Sequence, residues 1–163
     1  MIVGFLPHLL RLYFHDCFVN GCDASLLLDD TSSFKGENNA APSKNLARGF
    51  EVIDTIKSKV KEACPSTVSC TDIITFVSRA AVYFRRPIYW PVPLGHRDGT
   101  TASEDAANEQ LTSPFEPLEN ITARFTAKGL EMVLLKVCPT LEFFFVIAFR
   151  LRNLKTSHVI TIL

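Results

Sequence analysis

Residues Arg11 to Ser25 read RLYFHDCFVNGCDAS, and this stretch decides the fold and the chemistry expected of the chain. Arg11 and His15 are four residues apart, so on a helix their side chains share a face about one turn apart. An imidazole with an ordinary pKa near ~6.5 can accept and return a proton at working pH. A guanidinium beside it keeps its charge and can stabilise negative charge on a bound oxygen. The pair therefore predicts a device that moves a proton along a polar O–O or O–X bond and helps that bond to break.

The residues that follow His15 predict a cation site. Asp16, Asp23 and Ser25 offer side-chain oxygens, and the turn over Phe18–Gly21 can direct backbone carbonyls inward. Hard oxygen ligands of both kinds suit Ca²⁺, which takes roughly 6–8 of them. Because Asp16 directly follows His15, the two side chains point to different sides of a helix. We therefore expect the proton-transfer pair and the cation site to lie back to back.

Two cysteines, Cys17 and Cys22, flank this turn. They are close enough in sequence to be joined, which would hold the carbonyls in place. Zinc is the alternative ligand for two nearby cysteines, but their spacing and the lack of a second pair argue against it. Each residue alone has a commoner structural role, such as a buried histidine or an aspartate in a turn. Their occurrence together, in this order, is what favours a role in proton transfer and cation binding.

Further motifs extend the pattern along the chain. They are ASLLLDD (24–30), RGFEVID (48–54), ACPSTVSC (63–70), WPVPLGHRDG (90–99) and EQLTSPF (109–115). In this order, and together with Arg11–Ser25, they resemble the secreted plant haem peroxidases of class III, over Leu9 to Leu130. The resemblance implies an all-α fold that holds the distal half of a plant peroxidase, meaning the half on the side of the haem where peroxide binds. It divides the chain into a distal domain, 1–130, and a divergent tail, 131–163.

The resemblance also implies a role for each matching residue. Arg11 and His15 correspond to the pair that cleaves hydrogen peroxide over the haem iron, and Phe14 walls the distal pocket. Ser43 stands where the family carries an asparagine that orients the distal histidine. Thr112 and Pro114 lie in the loop that contacts small phenolic donors.

The implied cofactors are haem b and Ca²⁺. Glu37 corresponds to the family glutamate that supports the ion through water, and Val19 and Gly21 would bind it through their carbonyls. The implied direct calcium ligands are Asp16, Val19, Gly21, Asp23 and Ser25.

The sequence departs from the family where the proximal haem ligand is expected. No histidine occurs there: one alignment places Pro139 at the position and an ungapped alignment places Phe143. Neither side chain can ligate iron, so the family's fifth ligand is absent. Cys138 and His158 are the alternatives, although Cys138 is more often a small buried hydrophobe and His158 comes late in the chain.

The ends and the remaining cysteines also depart from the family pattern. The segment at the start of the sequence, MIVGFLP (1–7), is shorter than a secretory signal and lacks its charged start. Cys64 and Cys70 lack their usual partners, so they could stay free, pair with each other, or one could pair with Cys138. The resemblance nevertheless implies a secreted protein of the cell wall or a vacuolar one. The sequon Asn120-Ile-Thr122 agrees with secretion.

Composition excludes some classes of partner. Lysine plus arginine and aspartate plus glutamate each number 17, and no basic stripe occurs, so nothing favours nucleic acid. The apolar tail over 143–149 is far shorter than the ~20 residues needed to span a bilayer, so no membrane partner is expected. It could instead form a strand that is prone to aggregation.

Apolar residues recur mainly at helical spacing. We expect helices over the run from Leu6, over the segment from Phe50 to Val60, and from about Leu118 to Lys128. Ser69 and Asp72 predict the capped start of another helix, and Gly129 predicts the end of the last one. The segment 86–99, with its three prolines, predicts a loop.

These features together support a haem peroxidase of class III type, which reduces hydrogen peroxide, oxidises phenolic donors, and acts in hydrogen peroxide catabolism and the response to oxidative stress. The alternative is a catalytically inactive fragment that binds Ca²⁺ and lacks the proximal histidine.

Overall fold

The computed structural model describes residues 6–44, 47–85, 87, 90–113, 115–134, 147–151 and 160–162. The chain divides into two compact units, Met1–Leu111 and Thr112–Leu163. This division falls earlier than the boundary expected at residue 130. That boundary concerns family resemblance rather than compactness, and it stays a prediction.

The first unit is helical. It contains α1 (Leu6–Val19), α2 (Phe50–Ala63), α3 (Cys70–Arg85) and the short α4 (Glu104–Gln110), with 3-10 turns over Ser25–Leu27 and Glu37–Asn39. Pro7 is tolerated in α1 because the first turn of a helix has no intrahelical partners for its N–H groups. The helices predicted from Leu6 and from Phe50 are confirmed, and α1 continues through the whole Arg11–Val19 segment. The short α4 was not predicted from the sequence.

Among the described residues, two of the apolar clusters hold the helices of this unit together. In the smaller one, Leu6 and Leu9 of α1 pack with Ala81 of α3. The larger one joins α1, the first 3-10 turn, α2 and α3. It comprises Leu12, Ala24, Leu26, Ala47, Ile53, Ile73 and Ile74. Because Leu12 and Leu26 are both fully buried there, the cluster fixes the segment between them, which carries the candidate site.

The start of α3 confirms part of the predicted cap. The Ser69 hydroxyl accepts a hydrogen bond from the Asp72 N–H at 3.0 Å, as an N-cap serine should. The Asp72 carboxylate, however, accepts hydrogen bonds from the loop at Gly95 and His96. The capping pair is therefore only half formed, because a distant loop offers Asp72 more donors.

The second unit contains α5 (Leu118–Ala127) and a three-stranded antiparallel sheet in the order β1-β2-β3. Gly129 follows α5 with φ of 75°, a left-handed conformation that suits glycine and ends the helix as predicted. The strands are β1 (Leu130–Leu134), β2 (Ile147–Leu151) and β3 (Ile160–Ile162). The all-α prediction is thus confirmed over the family-like helices, and the strands fall in the segment expected to diverge.

The register of the sheet is regular. Leu130 pairs with Leu151 and Leu134 with Ile147, while Phe149 of β2 pairs with Ile160 of β3. The predicted strand-prone segment thus contributes residues 147–149 to β2, and its first four residues lie outside the described ranges. None of the helices in the described part of the chain has the length and apolar character needed to cross a bilayer.

Candidate functional site

His15 lies on α1 and is buried, with 5% of its surface exposed. Its Nδ1 lies 3.1 Å from the hydroxyl of Ser43, which is also buried. Burial, and to a lesser extent the positive charge of Arg11, together lower the pKa of His15 from 6.5 to about 4. The imidazole is therefore neutral at pH 7, and Nε2 is the nitrogen that does not face Ser43.

The side chains around His15 come from the same helix and from one loop. Arg11 is exposed one turn before His15 on α1. The Phe14 ring stands edge-on to the imidazole at a centroid distance of 5.7 Å and packs on Phe18 at 4.9 Å. Ser43 is fixed by its own N–H, which donates to the Ala40 carbonyl at 2.8 Å. The structure thus places Arg11, Phe14 and Ser43 around His15, and their role as a distal pocket stays a prediction.

The predicted cation loop begins where α1 ends. Gly21 has φ of 110°, which glycine adopts without strain, and it turns the chain back after Val19. The expected disulfide between Cys17 and Cys22 is present and closes this turn. Ala24 is left-handed at φ of 59° and leads into the 3-10 turn at Ser25.

Asp16 faces the loop that it helps to shape. Its Oδ2 accepts a hydrogen bond from the Ala24 N–H at 3.1 Å, and its Oδ1 accepts one from the Leu26 N–H at 3.4 Å. Burial raises the pKa of Asp16 to about 7, against the effect of these hydrogen bonds. The negative charges of Asp23 and Glu37 raise it in the same direction as burial. Three carboxylates are therefore close enough to repel one another, which a bound cation would relieve.

Two fully buried oxygens near the predicted ligands, Ser25 Oγ and Glu37 Oε2, make no hydrogen bond of good geometry among the described residues. The Ser25 and Asn20 side chains still lie near enough to the Glu37 carboxylate to act against the rise in its pKa. The other oxygen of Glu37 accepts a hydrogen bond from the Ser103 N–H at 3.4 Å, and burial raises the pKa of this carboxyl. Unsatisfied buried oxygens are costly unless something pairs with them. Oxygen donors of this kind beside Asp16 and Asp23 fit Ca²⁺.

The described residues contain no cluster of three or more His, Cys, Asp or Glu side chains arranged to hold a metal. A cation in this loop therefore depends on hydroxyl and carbonyl oxygens in addition to carboxylates. The predicted set has that character, because Val19 and Gly21 would contribute carbonyls and Ser25 a hydroxyl. Its role as the calcium-ligand set stays a prediction.

Asp23 is also supported by a contact from outside the loop, which was not predicted from the sequence. The Gly99 N–H donates to the Asp23 carbonyl at 2.6 Å. A Cβ at residue 99 would collide with the Asp23 carboxylate, so any other residue there would force this carboxylate to move. Residue 99 closes a motif that was noted only for its family resemblance, and no local signal shows its contact with residue 23.

Two aspartates, Asp72 and Asp98, link the loop that carries Gly99 to the start of α3. Asp98 accepts hydrogen bonds from the N–H groups of Cys70 and Thr71, both at 2.9 Å, and from the Thr71 hydroxyl at 3.0 Å. Asp72 of α3 in turn accepts hydrogen bonds from the N–H groups of Gly95 and His96 in the loop. The Nδ1 atom of His96 also lies 2.8 Å from Asp72 Oδ1. We call this pair of interactions the α3 clasp. It anchors the loop that carries Gly99.

The hydrogen bonds of the α3 clasp lower the pKa values of its two carboxyl groups. Burial works to raise the pKa of both Asp72 and Asp98. Hydrogen bonds from Gly95 and His96 to Asp72, and from Cys70 and Thr71 to Asp98, outweigh burial and lower both pKa values. Both aspartates are therefore ionised at neutral pH.

We expect Asp98→Ala to destabilise the chain by about 1–2 kcal/mol, because it removes the acceptor for the first N–H groups of α3. Chemical denaturation at neutral pH measures this loss. Asp29→Ala, which removes an exposed carboxylate elsewhere, is the matched control and should change stability far less. Equal losses in the two variants would show that the clasp does not stabilise α3.

The remaining predicted residues are placed as follows. Cys64 is exposed and Cys70 half-buried, and both are free thiols, while Cys138 lies outside the described residues. Burial and the nearby Asp98 charge raise the pKa of Cys70, which disfavours its thiolate. Thr112 is half-buried at the start of the second unit. Pro114 also lies outside the described residues, so the donor-contact role of this pair stays a prediction.

These features define a helical protein with an acid–base pair backed by an oxygen-rich loop, and comparisons with known proteins agree. A family model described as Peroxidase matches residues 3–151, which is most of the chain. The chain therefore belongs to the peroxidase family, in the plant class III branch that its motifs predicted. The match continues past Leu130 and reaches the end of β2.

Individual relatives support the same assignment. The chain is 56% identical over 154 residues to Peroxidase 10 of Arabidopsis thaliana, covering 91% of this chain and 44% of the relative. It is 49% identical over 154 residues to Peroxidase P7 of Brassica rapa subsp. rapa, covering 93% and 52%. Peroxidase N of Armoracia rusticana is 56% identical over 124 residues, covering 76% and 37%. The chain thus spans about half the length of these curated relatives, or less.

Proposed function

We propose that this chain provides the peroxide-handling half of a plant class III haem peroxidase, which reduces hydrogen peroxide while oxidising small phenolic donors. The carrying observation is the buried His15, which is neutral at pH 7, held at Nδ1 by Ser43 and preceded by Arg11 one helical turn earlier. Membership of the peroxidase family supports this role. Hydrogen peroxide catabolism and the response to oxidative stress are the processes in which it would act.

The residues on the distal side fit a haem. Arg11, Phe14 and His15 would lie over its peroxide-binding face, and the group would supply the redox chemistry when bound. The family's fifth ligand is missing, because His158 is the only histidine that follows His96 in the sequence. Within this sequence, Cys138 and His158 are the residues that could supply an iron ligand in its place.

The acid–base work belongs to His15. When Nδ1–H donates to Ser43 Oγ, the Nε2 lone pair can accept a proton from the peroxide oxygen nearest to it. The same nitrogen then returns this proton to the second oxygen, which leaves as water. Arg11 stabilises the negative charge that develops on the peroxide oxygens as the bond breaks. A histidine with a low pKa suits the first step, because it is deprotonated before peroxide arrives.

The proposed Ca²⁺ would stiffen this arrangement. Asp16 directly follows His15 on α1, and its two oxygens bind the backbone of the loop at Ala24 and Leu26. A cation held by this loop would therefore fix the end of α1 that carries His15. Calcium would act on the reaction through the position of His15 and would not touch the substrate.

We further propose a secreted protein of the cell wall or a vacuolar one, without nucleic-acid or membrane partners. The balance of charged residues supports the first exclusion, since no excess of basic side chains is available to neutralise phosphates. Class III membership supports the location. Fractionation of plant tissue into apoplastic, vacuolar and cytosolic extracts, with an antibody to the chain, tests it.

The test of function is peroxide-dependent oxidation of a phenol by the chain loaded with haemin and Ca²⁺. His15→Gln is expected to lower the rate by roughly 100-fold or more, the usual contribution of general acid–base catalysis. Asp29→Asn, an exposed change outside the site, should leave the rate unchanged. If the native chain turns over no faster than free haemin, the inactive calcium-binding alternative replaces this proposal.

A second prediction concerns Ser43. Ser43→Ala is expected to destabilise the chain by about 1–3 kcal/mol, because Nδ1 of a buried histidine loses its partner. It is also expected to shift the pH profile of the peroxide reaction, because a hydrogen bond to a ring nitrogen favours one protonation state of an imidazole over the other. Ser43→Thr keeps the hydroxyl and should retain the native profile. Identical pH profiles for the alanine variant and the native chain would remove Ser43 from this role.

A further inference from the structure

The segment from Ala40 to Ser43 carries the hydroxyl that meets His15, and the contacts of its backbone decide where that hydroxyl lies. The Ser43 N–H donates to the Ala40 carbonyl at 2.8 Å, so the position of Ser43 depends on that of Ala40. Ala40 is fully buried, and its own N–H donates to the Glu37 carbonyl at 3.2 Å. The start of the segment is therefore fixed by the 3-10 turn that precedes it.

The middle of the segment is held from α4. The Ala41 N–H donates to Asn108 Oδ1 at 2.8 Å, across 67 residues of sequence. Pro42 follows and has no N–H of its own, and its ring restricts the backbone between Ala41 and Ser43. A displacement of Ala41 would therefore be passed on to Ser43.

The helix α4 is attached to this part of the chain near both of its ends. Near its start the Glu104 N–H donates to the Lys35 carbonyl at 3.2 Å, and near its end Asn108 accepts from Ala41. Between these two contacts Ala107 has none of its surface exposed, which fixes the helix against the interior of the unit. The Asn108 side chain thus extends from a fixed helix to a point two residues before Ser43.

We propose that Asn108 is a positioning residue for the peroxide reaction. By holding Ala41 it keeps the Ser43 hydroxyl at Nδ1 of His15, where the hydroxyl accepts the Nδ1 proton. The partner of one ring nitrogen decides which nitrogen carries the proton, so this contact leaves the lone pair on Nε2. This role rests on the proposed function, in which that lone pair accepts a proton from hydrogen peroxide. Asn108 acts through Ser43 and transfers no proton itself.

The direct measurement is the tautomer of His15 in the full chain at neutral pH, read from the 15N chemical shifts of its ring. The spectrum of His15→Gln assigns the signals. The native chain should carry the proton on Nδ1, and a proton on Nε2 would overturn the proposal. Asn108→Ala should shift the tautomer population towards Nε2–H, because the displaced hydroxyl no longer accepts from Nδ1. Alanine favours a helix more than asparagine does, so α4 should persist in this variant.

Two matched variants separate positioning from a general loss of stability. Asn108→Asp keeps an acceptor oxygen for the Ala41 N–H and should retain the native tautomer. Thr55→Ala removes another exposed hydrogen bond, from the Thr55 hydroxyl to the Glu51 carbonyl at 2.7 Å on α2, and should also retain it. An unchanged tautomer in Asn108→Ala, or an equal shift in Thr55→Ala, would overturn the proposal.

Rates of the chain loaded with haemin distinguish a failure of this role from a failure of the proposed function. Asn108→Ala should slow the reaction with peroxide roughly threefold to tenfold, the range expected for one hydrogen bond, and leave the rate of phenol oxidation unchanged. If His15→Gln slows the peroxide reaction while Asn108→Ala changes neither the tautomer nor that rate, Asn108 has no positioning role. If Asn108→Ala shifts the tautomer but His15→Gln reacts as fast as the native chain, the proposed function fails and the effect of Asn108 on His15 stands.

Discussion

In the calcium-free chain, two adjacent substitutions are expected to tilt the pH dependence of the unfolding free energy in opposite directions. His15→Gln should make the chain progressively less stable as the pH rises from about 4 to about 7. Asp16→Asn should make it progressively more stable over nearly the same interval. Each effect is expected to be on the order of 3–4 kcal/mol, because the folded-state pKa of His15 is about 4 instead of 6.5 and that of Asp16 is about 7 instead of 3.8.

The signs follow from which state binds the proton more tightly. The folded-state pKa of Asp16 is raised from 3.8 to about 7, so its contribution to stability is complete below 3.8 and lost as the pH rises through about 7. The folded-state pKa of His15 is lowered from 6.5 to about 4, so its contribution is complete above 6.5 and lost as the pH falls through about 4. In the native chain the two contributions largely cancel. Each variant removes one and exposes the other.

Urea denaturation in the presence of a chelator, at several pH values between about 4 and 7.5, measures these slopes. Glu37, Asp72 and Asp98 also have shifted pKa values, but they are common to both variants. The difference between the two slopes therefore reports only the contributions of His15 and Asp16. Asp29→Asn should follow the native curve. Parallel slopes for His15→Gln and Asp16→Asn would contradict the buried environment assigned to both residues.

Calcium is expected to stabilise the chain by about 2.7 kcal/mol at a free concentration one hundred times its dissociation constant. The gain arises because the ion would bind the folded loop, where Asp16, Asp23 and Glu37 repel one another, and not the unfolded chain. Asp23→Asn should remove most of this gain while keeping the acceptor for the Ser25 N–H, which now lies 3.1 Å from Asp23 Oδ1. Thermal unfolding with and without Ca²⁺ measures the effect.

Two further comparisons sharpen this test. Gly99→Ala should also reduce the calcium gain, because a Cβ there would displace the Asp23 carboxylate. Mg²⁺ should not replace Ca²⁺, since it demands near-ideal octahedral geometry and gives up its water reluctantly. If Asp23→Asn gained as much from Ca²⁺ as the native chain or Asp29→Asn, the ion would have to bind elsewhere.

Local features of the sequence predicted much of the candidate site. The spacing of Arg11 and His15 predicted a shared helix, and the cysteines flanking the turn suggested the bridge that the structure contains. Ser69 and Gly129 marked the ends of helices because capping depends on a few neighbouring residues. These predictions succeeded because each involves groups within about one or two turns of one another.

Contacts between distant residues could not be predicted in the same way. Asp98 binds N–H groups 27 and 28 residues earlier, and Ser103 donates to Glu37 across 66 residues. Asp72 looked like a capping residue from its spacing, but in the folded chain Gly95 and His96 offer it additional donors. After Gly129 only the stretch 143–149 was predicted to form a strand, and the pairing of its Phe149 with Met132 of β1 was not predicted. Tertiary contacts therefore decide these features.

The most direct test of the central claim is an absorption titration of the calcium-loaded chain with haemin, followed by addition of hydrogen peroxide. We expect a saturable Soret band at one haemin per chain, and a peroxide-dependent change that His15→Gln slows and a phenol reverses. Cys138→Ala and His158→Ala would then identify the fifth ligand. Linear, non-saturating binding, or the same peroxide response in His15→Gln and the native chain, would contradict the peroxide-handling role proposed for Arg11 and His15.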